Sequence, residues 1–337
     1  KSRGAEVLTR TRCTSLVRSG DHWDAVLEGP TGSESRSFKA VVNAAGAWVD
    51  DILGLDPGKK TETHLRLVKG SHIIVPRWHE GNHAYFFQNG DGRIMFAIPY
   101  ERGEFTLIGT TDVPYEANRD EVKITQDEIE YLCDGASEYY ARAVTPSDVV
   151  ATYSGVRPLY DDHAANASKV TRDYVLKLDD EAGAPILSVF GGKITTYREL
   201  AEDALQTLED IFPSADKEWT RDADLPGGDM PGADFDGFFI GLKRDYPNLD
   251  ANLLERLARA YGTKVRQLLA NADTDAGLGR MFGAGLTEAE ARYLVEAEFA
   301  RSADDILWRR SKLGLHMSDA ERAAFSDWMT DHIKTHA

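Results

Sequence analysis

The segment from residue 188 to residue 198, SVFGGKITTYR, constrains the fold more than any other part of the chain. It includes the end of the apolar run PILSVF, which predicts a buried strand, and it leads into a segment with helical spacing of apolar residues up to Phe212. Two successive glycines at such a junction allow backbone angles and close approaches that a side chain would prevent. The segment therefore predicts an α/β unit with a strand, a tight turn and a helix.

This junction is also a candidate anion site. The first N–H groups of a helix have no partner within the helix, and the helix dipole places positive charge there. Lys193 adds a full charge, and Thr195 and Thr196 add hydroxyl groups. The alternative is that Gly191 and Gly192 only form the turn and that Thr195 only caps the helix.

The composition excludes some classes of function. The 337 residues are 42% hydrophobic and 28% charged, which is typical of a globular chain of two or three domains. Their formal net charge of -17 argues against nucleic acid as a partner. No apolar run approaches the roughly 18 to 20 residues of a membrane span, so we expect any membrane contact to be peripheral. Cys13 and Cys133 have no metal-ligand spacing, and we predict no metal site.

The first 112 residues predict mostly strands. Two strands are expected at residues 6–11 and 23–28, and a short apolar strand at residues 38–43. The last one ends in small residues, among them Ala45 and Gly46, at the kind of strand end where open α/β sheets place ligands. The alternative there is a strand that merely turns tightly into a helix. Four further apolar segments between Thr63 and Asp112, separated by turns, predict an antiparallel sheet.

The rest of the chain predicts mainly helices. An amphipathic helix is expected at residues 126–143. After a linker rich in Asp, Pro and Gly at residues 222–232, a separate helical domain is expected, with Thr287 and Ser318 as caps. Its predicted helices are residues 251–261, 264–270, 288–300, 303–313 and 319–333.

Three basic residues are candidates for a phosphate site. Arg157 and Arg172 lie in predicted strands, and Lys193 follows the two glycines. An arginine donates two parallel hydrogen bonds to a phosphate, and a lysine supplies a compact charge. The alternative is that the arginines form surface pairs with carboxylates close in sequence, namely Asp161, Asp162 and Asp173.

Five motifs, in order along the chain, closely resemble those of the FAD-dependent glycerol-3-phosphate dehydrogenases. They are NAAGAW at 43–48, KGSH at 69–72, GTTD at 109–112, GVRPL at 155–159 and FGGKITTYR at 190–198. The resemblance covers the whole chain, including its helical end. It implies an α/β (α+β) fold with a partial glutathione-reductase-like FAD domain, an antiparallel-sheet substrate domain and a C-terminal helical domain.

The resemblance also implies domain boundaries. Residues 1–54 would be the remainder of the FAD-binding domain, 55–182 the substrate-binding domain, 183–213 a return to the FAD-binding domain, and 214–337 the helical domain. The family's dinucleotide fingerprint, GxGxxG, occurs nowhere in these 337 residues. We therefore expect the chain to be a truncated form that lacks the N-terminal portion of such an enzyme.

The implied function is the flavin-dependent oxidation of sn-glycerol 3-phosphate to dihydroxyacetone phosphate, with FAD as cofactor and a membrane quinone as electron acceptor. The implied location is the cytoplasm, peripherally at the inner face of the cytoplasmic membrane, with a homodimer as a candidate assembly. Two alternatives stay open. One is a glycerol-3-phosphate oxidase or related amine oxidase that uses oxygen, and the other is a non-catalytic binding or interaction fragment.

The resemblance implies roles for individual residues as well. Arg157 and Arg172 would hold the phosphate, and Lys193 would lie near the flavin and the substrate oxygens. His72 is the candidate to accept the hydroxyl proton. Two alternatives stay open: a neighbouring basic side chain could serve instead, and a histidine among apolar strand residues is often a hydrogen-bonded core residue. The catalytic candidates are thus His72, Arg157 and Lys193, and the cofactor-binding candidates are Ala45, Gly46, Gly191, Gly192, Lys193, Thr195 and Thr196.

Overall fold

The computed structural model describes residues 4–58, 63–161, 173–213, 218–270 and 272–336. The chain divides into two compact units, Lys1–Glu218 and Trp219–Ala337. The first unit combines sheets with a few helices, and the second is largely helical, so the predicted fold class is confirmed. The finer division into four segments stays a prediction, and the predicted strand around Arg172 begins outside the described residues.

The elements of the first unit are numbered in chain order. Its strands are β1 (Arg12–Ser19), β2 (His22–Gly29), β3 (Gly32–Phe38), β4 (Val41–Asn43), β5 (Leu65–Pro76), β6 (Tyr85–Gln88), β7 (Ile94–Tyr100), β8 (Phe105–Gly109), β9 (Val113–Pro114), β10 (Ala151–Tyr160), β11 (Tyr174–Asp179) and β12 (Ile186–Gly191). Its α-helices are α1 (Val49–Leu53), α2 (Gln126–Ser137) and α3 (Tyr197–Thr207).

Strands β1, β2 and β3 form an antiparallel meander. Strand β1 begins at Arg12, so the prediction of a strand at residues 6–11 was wrong in position. The fully buried Trp23 on β2 donates its indole N–H to the carbonyl of Pro185 at 2.9 Å. The pairing of β1 with β2 runs from Arg12 opposite Glu28 to Ser19 opposite His22, so it reaches back only as far as Arg12.

A second, three-stranded sheet has the order β11-β12-β4, with β12 antiparallel to β11 and parallel to β4. In the parallel pair, Ile186 lies opposite Val41 and Ser188 opposite Asn43. The carboxyl ends of two parallel strands lie at the same edge of a sheet. The segments that follow Asn43 and Gly191 therefore start from one edge.

The largest sheet has the order β10-β5-β8-β7-β6, with β9 paired to β5, and its main strands are antiparallel as predicted. Helix α2 covers one face of this sheet with Leu132, Cys133 and Ala136. The helix starts at a capping box formed by Thr125 and Glu128. It ends at Ser137, earlier than predicted, where the Ser137 hydroxyl bonds the carbonyl of Cys133 at 2.7 Å.

The second unit contains α4 (Phe235–Asp245), α5 (Ala251–Tyr261), α6 (Val265–Leu269), α7 (Glu288–Glu296), α8 (Asp319–His336) and a hairpin of β13 (Met281–Gly283) and β14 (Leu286–Thr287). Helix α5 has the predicted bounds, and Thr287 and Ser318 cap the helices that follow them. Residues 305–310 form a π-helical stretch, and α4 was not predicted. Among the described residues, no helix is both long and apolar enough to cross a bilayer.

Candidate functional site

The largest sheet has two chemically different faces. Successive side chains of a strand point to opposite faces, and directly opposed residues of paired strands share a face. The covered face, packed against α2, carries Lys69, Ser71, Ile73 and Val75 of β5. The open face carries the alternate residues of β5 and their partners on β10, namely Val68, Gly70, His72, Tyr153, Gly155 and Arg157.

Arg157 on the open face is held by two residues that follow β8. Its Nη1 donates to Asp112 Oδ1 at 2.7 Å, and its Nη2 donates to Thr110 Oγ1 at 3.3 Å. The side chain keeps 35% of its surface exposed, and these two bonds occupy two of the five N–H groups of a guanidinium. Its carboxylate partner is thus Asp112. The sequence analysis had considered only Asp161, Asp162 and Asp173 as partners for a surface pair.

His72 lies on the same face and stacks on Tyr153, with ring centroids 4.7 Å apart. Burial lowers the pKa of His72 to about 4, and the positive charge of Arg157 contributes in the same direction. The Nδ1 atom is buried and has no hydrogen-bond partner among the described residues. The ring is therefore neutral near pH 7, and it differs from a core histidine whose nitrogens are both hydrogen-bonded.

The Gly-Gly junction has the predicted strand and turn, with a difference at the helix. Gly191 and Gly192 have φ values of +69° and +89°, which favour glycine. A 3₁₀ turn at residues 194–196 precedes α3, and no side chain of the described residues caps that helix. The interpretation that Thr195 caps the helix was therefore wrong, because α3 begins two residues later at Tyr197. Lys193 is exposed, and its side chain has no hydrogen bond or ion pair in the described parts of the chain.

Two further segments meet this junction. A Cβ on Gly191 would lie 3.4 Å from the backbone nitrogen of Tyr160 and 3.5 Å from the carbonyl of Pro158, so the end of β10 passes directly beside it. After β4, the buried Asn43 accepts a hydrogen bond from the Ala45 N–H at 3.4 Å, and Gly46 follows with a φ of +56°. Both Ala45 and Gly46 thus follow the same sheet edge as the junction.

The structure brings together most of the candidate residues of the sequence analysis. The end of β10 connects Arg157 to the junction that carries Lys193, and His72 shares the open face with Arg157. Arg172 lies outside the described residues, so its role stays a prediction. Sequence reasoning missed the roles of Gly70, Thr110 and Asp112, although the spacing of Gly70 and His72 along β5 was a signal that both lie on one face.

The residues at this edge fit the flavin end of an FAD. A Cβ on Gly192 would lie 2.9 Å from the Cβ of Tyr174, so the backbone there has to stay bare. Three features of this segment suit a flat ring system that carries negative charge. They are the backbone of the two glycines, the cation of Lys193 and the start of a helix. Ile194, beside the cation, is 86% exposed, which leaves an apolar side chain at the surface of the same segment.

Comparisons with known proteins agree with these features. Residues 1–198 match the family model described as "FAD dependent oxidoreductase". Residues 219–332 match the model described as "C-terminal domain of alpha-glycerophosphate oxidase". The two matched segments lie in the two compact units of the structure.

Individual relatives match nearly the whole chain. The chain is 45% identical to a D-erythritol 1-phosphate dehydrogenase of Brucella abortus, over 97% of this chain and 65% of the relative. It is 43% identical to the aerobic glycerol-3-phosphate dehydrogenase of Escherichia coli, over 98% of this chain and 66% of the relative. A glycerol-3-phosphate dehydrogenase from Bacillus halodurans, solved with FAD, superposes with a TM-score of 0.83 at 26% identity, over 99% of this chain and 66% of that one. The chain thus spans about two thirds of the length of these proteins.

Proposed function

The chain belongs to the FAD dependent oxidoreductase family, and from this premise we propose that it serves the oxidation of a small polyol phosphate, with sn-glycerol 3-phosphate as substrate and dihydroxyacetone phosphate as product. The observation that carries the proposal is the partly exposed Arg157 on the open face, beside a neutral histidine and next to the Gly-Gly junction. The relatives named as glycerol-3-phosphate dehydrogenases support the choice of substrate.

Arg157 is the proposed phosphate-binding residue, with Arg172 as a second. In the part of the chain that the structure describes, two of the five N–H groups of Arg157 are used, so others can form paired hydrogen bonds with phosphate oxygens. A net charge of -17 does not attract an anion, so a local arginine has to supply the attraction. Lys193, exposed at the junction, adds a second charge for the substrate or for the cofactor.

The proposed cofactor contacts are Ala45, Gly46, Gly191, Gly192, Lys193, Thr195 and Thr196. When FAD is bound, it supplies the two-electron acceptor for the oxidation of the substrate alcohol. Lys193 and the helix that begins after residue 196 favour negative charge beside them. The two glycines keep this turn tight, because a Cβ on Gly191 or on Gly192 would meet Tyr160 or Tyr174.

His72 is the proposed acceptor of the hydroxyl proton. It is neutral near pH 7 and so has a nitrogen free to take a proton, but a pKa of about 4 makes it a weak base. The Arg157 charge is one of the two causes of that low pKa, after burial. A phosphate dianion bound to Arg157 would offset that charge and raise the pKa of His72. Substrate binding would in this way strengthen the base that the reaction needs.

A second candidate substrate is a four-carbon polyol phosphate. A relative that is 45% identical is named D-erythritol 1-phosphate dehydrogenase. The same arginine and histidine would serve both substrates, since the phosphate and the oxidised alcohol are common to them. Titration with each compound, followed by comparison of the dissociation constants, decides between them.

We also propose a membrane quinone as electron acceptor, peripheral association with the inner face of the cytoplasmic membrane, and a homodimer. These three proposals are carried over from the family resemblance, and the E. coli relative is named as an aerobic dehydrogenase. The match of residues 219–332 to a domain of alpha-glycerophosphate oxidase keeps oxygen as the competing acceptor. Stopped-flow reoxidation of the reduced protein by a soluble quinone and by oxygen compares the two directly.

The test of the phosphate site is a titration of the chain, mixed with FAD, with sn-glycerol 3-phosphate, followed by calorimetry and by the visible flavin spectrum. We expect Arg157→Ala to weaken binding by about tenfold or more, because it removes charge-assisted hydrogen bonds to the phosphate. Arg142→Ala is the control, since Arg142 is 74% exposed and pairs with Asp148. Unchanged affinity in Arg157→Ala would remove this arginine from the site.

A further inference from the structure

Residues 110–112 contact both faces of the largest sheet. On the open face, Thr110 and Asp112 hold the Arg157 guanidinium. Thr111, between them, is 1% exposed and points to the covered face. Its hydroxyl donates to Glu128 Oε1 at 2.8 Å and accepts from the Ser71 N–H at 2.9 Å. One short segment therefore connects the helix behind the sheet to the arginine in front of it.

Glu128 is the fixed point behind this segment. Besides Thr111, it accepts a hydrogen bond from Ser71 Oγ at 3.0 Å and forms an ion pair with Lys69 at 2.7 Å. Its other oxygen also accepts the Thr125 N–H at the start of α2. A carboxylate with this many bonds, in a buried position, holds its partners in one arrangement. Thr111 is thus fixed, and with it the backbone that positions Thr110 and Asp112.

Gly70 also contributes to the position of Arg157. It lies on β5, the strand that pairs with the strand of Arg157. A Cβ at Gly70 would lie 2.8 Å from Arg157 Nη2 and 2.8 Å from Thr110 Oγ1. Any larger residue would therefore displace the guanidinium from its present position. Gly155, directly opposite on β10, differs, because a Cβ there would have nothing within 4 Å. We call Gly70, Thr110 and Asp112 the arginine clamp.

We infer that the arginine clamp, braced by Glu128, positions Arg157 for the phosphate of the substrate, with Asp112 as its main positioning residue. The inference rests on the proposed function for the identity of the ligand. Asp112 and Thr110 take one N–H each and leave the remaining donors of the fork to the phosphate. An arginine that is already held loses less conformational freedom when the anion binds, so the clamp raises affinity.

The test compares Gly70→Ala and Asp112→Ala with the matched control Gly90→Ala, at an exposed glycine between β6 and β7 where an added Cβ would have no described atom within 4 Å. The first measurement is NMR of ¹⁵N-arginine-labelled chain, in which the Arg157 side-chain signal is assigned with Arg157→Lys. The second is the dissociation constant of sn-glycerol 3-phosphate, measured with FAD present, with glycerol as the ligand that lacks a phosphate. Thermal unfolding monitors the integrity of each variant.

We expect Gly70→Ala and Asp112→Ala to shift the Arg157 signal and to weaken glycerol 3-phosphate binding by about tenfold, with unfolding temperatures close to that of the unchanged chain. Gly90→Ala should change neither, and Asp112→Asn should retain part of the affinity because its amide oxygen still accepts a hydrogen bond. Glycerol binding should be the same in all variants. This pattern separates positioning of the phosphate from general damage to the fold.

Other results would overturn the inference. If Asp112→Ala tightened glycerol 3-phosphate binding, Asp112 would be a competitor of the phosphate and not a positioning residue. If the Arg157 signal were the same in Asp112→Ala and in the unchanged chain, the clamp would not hold the arginine. A chain that binds no glycerol 3-phosphate, with an Arg157 signal that still shifts in the two clamp variants, would contradict the proposed substrate while leaving the clamp in place.

Discussion

Lys69 and Arg157 lie on opposite faces of the same sheet, and each is paired with a carboxylate at 2.7 Å, yet their surroundings differ. Lys69 and Glu128, on the covered face, keep only 7% and 8% of their side-chain surface exposed. Arg157 and Asp112, on the open face, keep 35% and 29%. The same kind of ion pair is enclosed on one face and accessible on the other.

The difference indicates what each pair does. Burial by itself would raise the pKa of Glu128, but hydrogen bonds from Lys69, Thr125, Thr111 and Ser71 outweigh it and lower the pKa to about 2. Among the described residues, Arg157 has only its bonds to Asp112 and Thr110, so its other donors stay available there. The covered face uses charge to fix the fold, whereas the open face keeps charge for a ligand. Four predictions test this comparison.

The largest effect is expected from Glu128→Ala. It leaves Lys69 buried without its counter-charge, which typically costs about 3 to 5 kcal/mol of the free energy of unfolding. Urea unfolding measures the loss, and hydrogen exchange of the β5 amides assigns it to the first unit. Glu130→Ala, on the exposed side of the same helix, should change stability by less than about 0.5 kcal/mol. Equal losses in the two variants would contradict the role of the buried pair.

The two faces should also respond to acid in different pH ranges. The folded pKa of His72 is lowered from 6.5 to about 4, so its contribution to stability is full above pH 6.5 and is lost as the pH falls towards 4. The folded pKa of Glu128 is lowered from 4.5 to about 2, so its contribution is lost between pH 4.5 and 2. Urea unfolding measured from pH 7 to pH 3 follows the first of these two ranges. His72→Phe should reduce the dependence of the free energy of unfolding on pH in that range. If that dependence were unchanged, other titrating groups would be its cause.

Thr125→Ala should have an intermediate effect. Thr125 caps α2, and its Oγ1 accepts the Glu128 N–H at 3.3 Å. Loss of an N-cap costs about 1 kcal/mol. The measurement is again urea unfolding, with Thr125→Ser as the variant that keeps the hydroxyl and should recover most of the stability. If Thr125→Ala left the free energy of unfolding unchanged, Glu128 would be held by its other partners alone.

The smallest effect on stability is expected from Asp112→Asn. The pair with Arg157 is about one third exposed, and pairs of this kind contribute about 0 to 1 kcal/mol. Thermal unfolding should therefore change little, in contrast to Glu128→Ala. A loss as large as that of Glu128→Ala would mean that the open face is structural too.

Several elements were predictable because their signals are local. The bounds of α5, the caps Thr287 and Ser318, and the strand before Gly191 follow from residue types at fixed spacing. Other elements depended on distant partners. The prediction misplaced β1, whose partner strand β2 bonds through Trp23 to Pro185, which is 162 residues away in sequence. Helix α4 was missed although it carries an ordinary Asp cap at Asp234.

The sequence by itself determined the candidates Arg157, Lys193, His72 and the two glycines, because charge, titration range and backbone freedom belong to residue types. Only the tertiary structure decided which carboxylate pairs with which cation. Asp112 is 45 residues from Arg157 and Glu128 is 59 residues from Lys69, so pairing depends on strand register and on the helix behind the sheet. Register sets the face of every side chain, and the face decides whether a charge is enclosed by the protein or left for a ligand.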